Sequence, residues 1–308
     1  MNPILRIGTR GSALALAQAN WLRGALQALL PDRQVELTTI RTSGDRFVDR
    51  PLRTIGGKGL FVKEIEEALL AGSIDCAIHS MKDVPAELAP GLVIAAIPPR
   101  EDPRDVLITR EGRELAALPA GARVGTSSLR RTALLRAMRP DLEIFELRGN
   151  VDTRLRKLDA GELDAILLAA AGLRRLGLQP DGARPFDVDS FLPAIGQGAL
   201  AIETRGDEMA AAIAALNHLP TAVAVTAERA FLATVGGSCH TPIAAYATLS
   251  EDEIQLKALI AHPDGSRLIY GSQSGSREQA GEIGGQLAGR LLAQGGDQII
   301  AEVLGNGA

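Results

Sequence analysis

Arg6-Ile7-Gly8-Thr9 recurs as Arg123-Val124-Gly125-Thr126, each copy followed by serine and then by a helical pattern. A second pair lies downstream. Ala71-Gly72-Ser73-Ile74-Asp75-Cys76-Ala77-Ile78 recurs as Ala160-Gly161-Glu162-Leu163-Asp164-Ala165-Ile166-Leu167, after amphipathic stretches at 62–70 and 153–159. Both copies read strand, helix, strand, and self-similarity on this scale marks a duplicated architectural unit. Strands alternating with helices imply mostly parallel sheets with helices on both faces. The chain therefore reads as two α/β lobes in tandem, an arrangement that usually holds ligand in a cleft between the lobes.

The first pair of matches is offset by 117 residues and the second by 89, so the first lobe carries extra chain between its landmarks. Most of it falls at 41–59, where Gly44, Gly56, Gly57 and Gly59 and many charges replace any periodicity. That is the texture of a long lid-like loop. Gly198 to Arg205 reads as a further strand, followed by a helix at 207–216, and could cross back to the first lobe. From Pro220 the pattern changes to an Ala-rich helix ending near Val235, a Gly-Gly-Ser-Cys loop, and strands near 243–249, 254–261 and 267–271. Pro263-Asp264-Gly265-Ser266 makes a hairpin turn between the last two, and a closing helix is expected at 277–293. The expected division is 1–98 plus 199–216 for the first lobe, 103–192 for the second, and 220–308 for a small third α+β domain.

The 308 residues are 46% apolar and 23% charged, which fits a folded globular chain rather than a disordered one. The longest apolar stretch, near 165–173, is about half of the roughly 20 residues a spanning helix needs. The N-terminal residues lack a secretory pattern, and Cys76 and Cys239 are too far apart for a metal knuckle or redox pair. A cytoplasmic protein with free thiols is expected, away from membranes. The 33 basic and 37 acidic residues give a net charge of −4, and aromatic content is 3%, so general nucleic-acid binding is disfavoured. Twenty-eight of the basic residues are arginines, the side chain suited to bidentate grip on carboxylates and phosphates. Locally, 130–157 holds eight basic and four acidic residues and 41–63 holds six and two, so both stretches are positive within an acidic chain. Such a pattern suits an anionic ligand with a defined site.

Thr9-Arg10-Gly11-Ser12 and Thr126-Ser127-Ser128-Leu129-Arg130-Arg131 place hydroxyls and free N–H groups at helix starts, where anions bind readily. Plain N-capping by Ser12 and Ser128 is the competing account. Arg148-Gly149-Asn150 follows an expected strand at 142–147, the end of an α/β sheet where ligands collect. Arg154, Arg174 and Arg175 add further cations nearby in sequence. His79-Ser80-Met81-Lys82-Asp83-Val84-Pro85 closes an apolar strand at 74–78 and sets a base beside an acid, although a surface Lys-Asp pair in a turn is equally compatible. Lys82 would keep Asp83 ionised while it faces a developing cation. In Gly236-Gly237-Ser238-Cys239-His240-Thr241-Pro242 the thiol sits in a flexible loop beside histidine and could act as a nucleophile or carry a thioether. Cys76, inside an apolar strand, reads as inert. No clustered His, Cys and carboxylates point to a metal.

Taken in order, these motifs together with Gly56-Gly-Lys-Gly-Leu-Phe-Val-Lys-Glu64 and Pro193-Ala-Ile-Gly-Gln-Gly198 resemble the hydroxymethylbilane synthase (porphobilinogen deaminase) family. The resemblance runs from about residue 4 to about residue 300. It implies two type II periplasmic-binding-protein-like lobes plus the third domain. It also implies a cytoplasmic, monomeric transferase of tetrapyrrole (heme, porphyrin) biosynthesis that joins four porphobilinogen molecules head to tail. Ammonia leaves at each step, and the linear product passes to uroporphyrinogen-III synthase. A dipyrromethane cofactor, bound as a thioether to Cys239, would prime the chain, and Asp83 would be the main catalytic residue. Arg10, Ser12, Lys58, Ser80, Lys82, Thr126, Ser128, Arg130, Arg131, Arg148 and Arg154 would bind cofactor or substrate, with Arg175 and Gln197 joining them. Many family members read Gly-Gly-Cys-Gln-Val-Pro at the loop, whereas this chain has an extra residue before its cysteine; Cys239 still stands three residues before Pro242. The rival from another class is a two-lobed anion-binding or sensor protein without turnover.

Overall fold

The computed structural model describes residues 4–46, 59, 61–237 and 241–305. Most of the expected lid at 41–59, with Lys58, and the loop residues Cys239 and His240 lie outside them. Two compact units are present: Met1–Glu101 with Ala199–Ala222, and Asp102–Gly198 with Val223–Ala308.

In the first unit, β1 (Ile4–Thr9), β2 (Gln34–Thr39), β3 (Cys76–Ser80), β4 (Leu92–Ala96) and the late strand β10 (Leu200–Arg205) form one sheet in the order β2-β1-β3-β10-β4. β1 runs parallel to β2 and β3, and β10 runs antiparallel to both β3 and β4. Leu5 and Ile7 of β1 bury against Ala19, Leu22 and Leu26, spaced three and four apart on the helix Ala13–Leu29. That spacing is what gives a helix one apolar face.

The second unit holds β5 (Asp105–Thr109), β6 (Arg123–Gly125), β7 (Glu143–Phe145), β8 (Ala165–Ala169) and β9 (Ala183–Pro185) in the order β7-β6-β8-β5-β9. β5 takes the place that β10 takes in the first sheet, antiparallel to its neighbours β8 and β9. Both sheets thus have the strand order of a type II periplasmic-binding-protein lobe, with one reversed strand each. Separate strands β11 (Ile243–Ser250), β12 (Glu253–Ala261) and β13 (Leu268–Ser276) make an antiparallel sheet covered by the helix Ala280–Leu291. One core cluster runs from Leu107, Val124, Leu134 and Phe191 to Ala244 and Leu259 of this sheet.

The sequence repeat is a repeat of contacts. Arg6 donates its N–H to the Asp75 carboxylate at 2.7 Å, and Arg123 does the same to Asp164 at 2.8 Å. A Cβ on Gly8 would come within 2.2 Å of the Ile74 side chain, and one on Gly125 within 2.5 Å of Leu163. Glycine at each strand end lets the equivalent apolar residue pack over the backbone. β3 starts at Cys76 rather than at Ile74, and pairing of Leu200 with Ser80 carries it on to Ser80. The closing helix also differs from expectation: Gly295, at φ +103, breaks it before a second segment, Asp297–Gly305. Among the described residues no single helix is long and apolar enough to cross a membrane, though the bent pair Glu208–Leu216 and Leu219–Val235 passes by length and composition.

Candidate active site

In the first unit, β1 delivers Thr9-Arg10-Gly11-Ser12 to the start of the helix Ala13–Leu29, where Ser12 Oγ accepts the Ala15 N–H at 3.3 Å. The capping account of Ser12 is therefore correct locally, and the same residue also lines a pocket of about 60 Å³. Arg10, Gln18, Phe61, His79, Ser80 and Asp83 share that pocket. Gln18 donates to Ser80 Oγ at 2.9 Å, which fixes the end of β3 and the 3₁₀ turn Met81–Asp83 that follows. Lys82 and Asp83 are half-buried on that turn. Arg10 stacks over Phe61, 4.3 Å from the ring centroid, and donates Nε to Asp45 at 3.1 Å. Burial alone would raise the Asp45 carboxyl, but Arg10 and Thr42 hold it below the usual carboxylate range.

Two partners here were not visible in the motif reading. His79 Nε2 lies 3.0 Å from Glu203 Oε2, both side chains buried beneath the pocket on adjacent strands. Burial, and then the neighbouring Glu203, push the Glu66 carboxyl up.

The second unit gathers the arginines. Thr126 is buried, and its Oγ1 accepts the Ser128 N–H at 3.2 Å; Ser128 Oγ in turn accepts the Arg131 N–H at 3.4 Å and caps the helix Leu129–Met138. Arg130 and Arg131 turn inward onto Asp105, a residue no motif singled out. Arg130 Nη1 donates to Asp105 Oδ2 at 2.7 Å and Arg131 Nε to Oδ1 at 2.8 Å, while Gln197 Nε2 lies 3.2 Å from Oδ1. Desolvation would raise the Asp105 carboxyl, yet the two guanidiniums pull it well below the carboxylate range. Arg130 Nε is buried without a hydrogen-bond partner among the described residues, a donor kept available at a cost of about 1–3 kcal/mol.

Arg148 Nε donates to Glu146 at 2.7 Å, and Arg154 Nε donates to the Gly149 carbonyl at 2.8 Å. Gly149 adopts φ +105, and a Cβ there would lie 2.8 Å from Thr153. Burial, followed by the charges of Arg131 and Arg148, brings the Arg154 guanidinium down to about 10. Burial is the larger cause and like charge the smaller, so three guanidiniums stand near enough to feel one another although Arg131 and Arg148 each have a carboxylate partner. Arg175 Nη2 donates to the Gly198 carbonyl at 2.7 Å, on the Pro193–Gly198 loop that also carries Gln197. Clustered guanidiniums, a capped helix start and the Arg130 Nε left unpartnered among the described residues together make an arrangement that can take carboxylates. Burial pushes the Cys76 thiol far up.

The family models matching this chain are the porphobilinogen deaminase dipyrromethane cofactor binding domain, over residues 5–212, and the porphobilinogen deaminase C-terminal domain, over residues 222–293. The chain belongs to the porphobilinogen deaminase family. Porphobilinogen deaminase of Syntrophotalea carbinolica is 55% identical over 96% of this chain and 95% of its own. That of Roseiflexus sp. strain RS-1 is 52% identical over 98% of this chain and 100% of its own. Among solved structures, the Escherichia coli periplasmic aliphatic sulphonate binding protein SsuA matches with TM-score 0.41 and 19% identity, covering 76% of this chain and 71% of that one. The methionine binding protein MetQ matches with TM-score 0.45 and 17% identity, covering 70% and 89%. The family membership disfavours the reading as a binding or sensor protein without turnover.

Proposed function

We propose that this porphobilinogen deaminase family member is a hydroxymethylbilane synthase: it condenses four porphobilinogen molecules head to tail into linear hydroxymethylbilane, releasing ammonia at each step. The observation that carries this reading at the level of chemistry is the gathering of Arg130, Arg131, Arg148 and Arg154 in one unit, with Arg130 and Arg131 both on Asp105 and Arg154 near enough to Arg131 and Arg148 to feel their charge. Each porphobilinogen brings an acetate and a propionate, and arginine is the natural partner of both. Dipyrromethane, bound as a thioether to Cys239, supplies the primer to which substrate units are added. The guanidiniums of Arg130, Arg131, Arg148 and Arg154 would hold its carboxylates, with Thr126 and Ser128 at the helix start.

Asp83 is the catalytic residue of this reading. Its carboxylate, half-buried, lines the pocket with Arg10, Ser12 and Ser80 and would face pyrrole N–H groups as positive charge develops on loss of the amine. A fixed carboxylate does this better than water because it needs no reorganisation at the moment of reaction. Lys82, Lys58, Arg175 and Gln197 complete the set that binds substrate or cofactor side chains. We take 1–98 with 199–216 as the first lobe, 103–192 as the second and 220–308 as the cysteine-bearing domain. A cytoplasmic monomer that hands its product to uroporphyrinogen-III synthase completes the reading.

The intact mass of the denatured, purified protein tests it. An excess over 32.4 kDa equal to two linked pyrrole units, absent from Cys239→Ala, is expected. A bare chain mass that porphobilinogen does not increase would defeat it.

A further inference from the structure

Glu228 lies on the helix Leu219–Val235, outside every motif discussed above, with no exposed surface. Its Oε2 accepts the Gly196 N–H at 2.7 Å, and its Oε1 accepts the Ala247 N–H at 2.9 Å. A buried carboxyl group is costly unless donors take up its oxygens, so both bonds are part of what keeps this residue inside. They reach in two directions. Gly196 immediately precedes Gln197, whose amide reaches Asp105, and Gly198, whose carbonyl accepts from Arg175. Ala247 belongs to β11, an edge strand of the C-terminal sheet, where an outward N–H would otherwise be unpaired. In sequence Glu228 precedes and Ala247 follows the segment 236–242. One carboxyl group thus ties both stems of that segment to the loop that meets the arginine cluster.

We propose that Glu228 is a positioning residue for the reaction: it holds the helix Leu219–Val235 and the edge strand β11 in one register with the Pro193–Gly198 loop. The described residues on either side of the segment then keep a fixed register with the loop whose Gln197 shares Asp105 with Arg130 and Arg131. The proposal rests on the reading of Cys239 as the point of cofactor attachment. It places the effect of Glu228 in the chemical step rather than in substrate capture, because the residue touches no substrate and alters only where the attached group stands.

Glu228→Gln keeps the size of the side chain but turns an amide –NH₂ toward one of the two backbone N–H groups. Intact mass first gives the fraction of chains that carry the cofactor, and steady-state rates are then expressed per loaded chain. Misplacement of about 1 Å costs on the order of 10²-fold in rate, so kcat is expected to fall by about that factor, with kcat/KM falling in parallel. A loaded variant whose kcat equals that of the wild type overturns the proposal, even if it melts earlier. Should the variant fail to fold, amide hydrogen exchange of the wild-type protein decides: the Gly196 and Ala247 amides are expected to be protected and to open together, and free exchange at either overturns the clamp. A wild-type chain that gains no pyrrole mass would instead defeat the functional reading, with the exchange result still standing for or against the clamp.

Discussion

Arg131 donates Nε to Asp105 at 2.8 Å, and both side chains are buried. Asp105 also accepts from Arg130 and Gln197, so three side chains assigned to ligand binding converge on one carboxylate. Removing one partner of a buried ion pair leaves an uncompensated charge, which costs about 3–5 kcal/mol. Asp105→Asn is expected to lose that much stability by denaturant unfolding, and to lose cofactor loading with it because the two guanidiniums lose their aim. A variant as stable as the wild type would show that the arginines do not depend on Asp105.

The same carboxylate sets an acid limb. Its folded pKa lies below the ordinary value of 3.8, so the stability it contributes is fully present above that value and is lost as pH falls through the folded pKa. Unfolding midpoints measured from pH 6 downward should therefore decline below about pH 4–5, and the decline should be shallower in Asp105→Asn. Parallel curves for the two proteins would assign the acid limb to other carboxylates.

Asp105 and Glu228 escape a reading of the sequence for a physical reason. Asp105 follows Pro98-Pro99-Arg100-Glu101-Asp102-Pro103-Arg104, a polar run that looks like a solvated connection, and is buried where β5 pairs with β8 opposite Ala169 and Arg130, Arg131 and Gln197 close over it. Glu228 stands in an Ala-rich helix, and its partners lie 32 and 19 residues away. Local pattern carries no trace of such distant donors. The two lobes, by contrast, are legible because Gly8 with Ile74 and Gly125 with Leu163 impose the same close approach, which restricts residue type at fixed offsets. The hydroxyls of Ser12 and Ser128 are legible as helix starts, and their capping bonds are as the residue types require. The kink at Gly295 is visible as a glycine pair but not as a break, since Gly in a helix interior is tolerated at about 1 kcal/mol.

Asp83→Asn is expected to keep the fold and the attached cofactor while losing most turnover. Loss of one preorganised electrostatic contact to a developing charge costs about 10²–10³-fold in kcat. Far-UV circular dichroism and intact mass should match the wild type, and single-turnover rates with porphobilinogen should not. Activity like that of the wild type would remove Asp83 from the chemistry.

Arg154 poses the opposite problem to Asp105, since it is held charged against burial first and like charge second. Burial and the fields of Arg131 and Arg148 bring its guanidinium down to about 10, so the folded chain gives up stability to keep it there. The sign follows from linkage: a base with a depressed folded pKa opposes folding at neutral pH, where the unfolded arginine binds its proton more tightly. Arg154→Gln should therefore unfold at an equal or higher denaturant midpoint than the wild type. It should also bind the carboxylated chain less well, since a charge-assisted hydrogen bond contributes about 1.5–3 kcal/mol. The expected reading is a KM raised by roughly 10- to 100-fold or a failure to load cofactor, with stability intact. A variant that unfolds earlier but keeps its KM would make Arg154 a structural support for the Gly149 turn rather than part of the anion site.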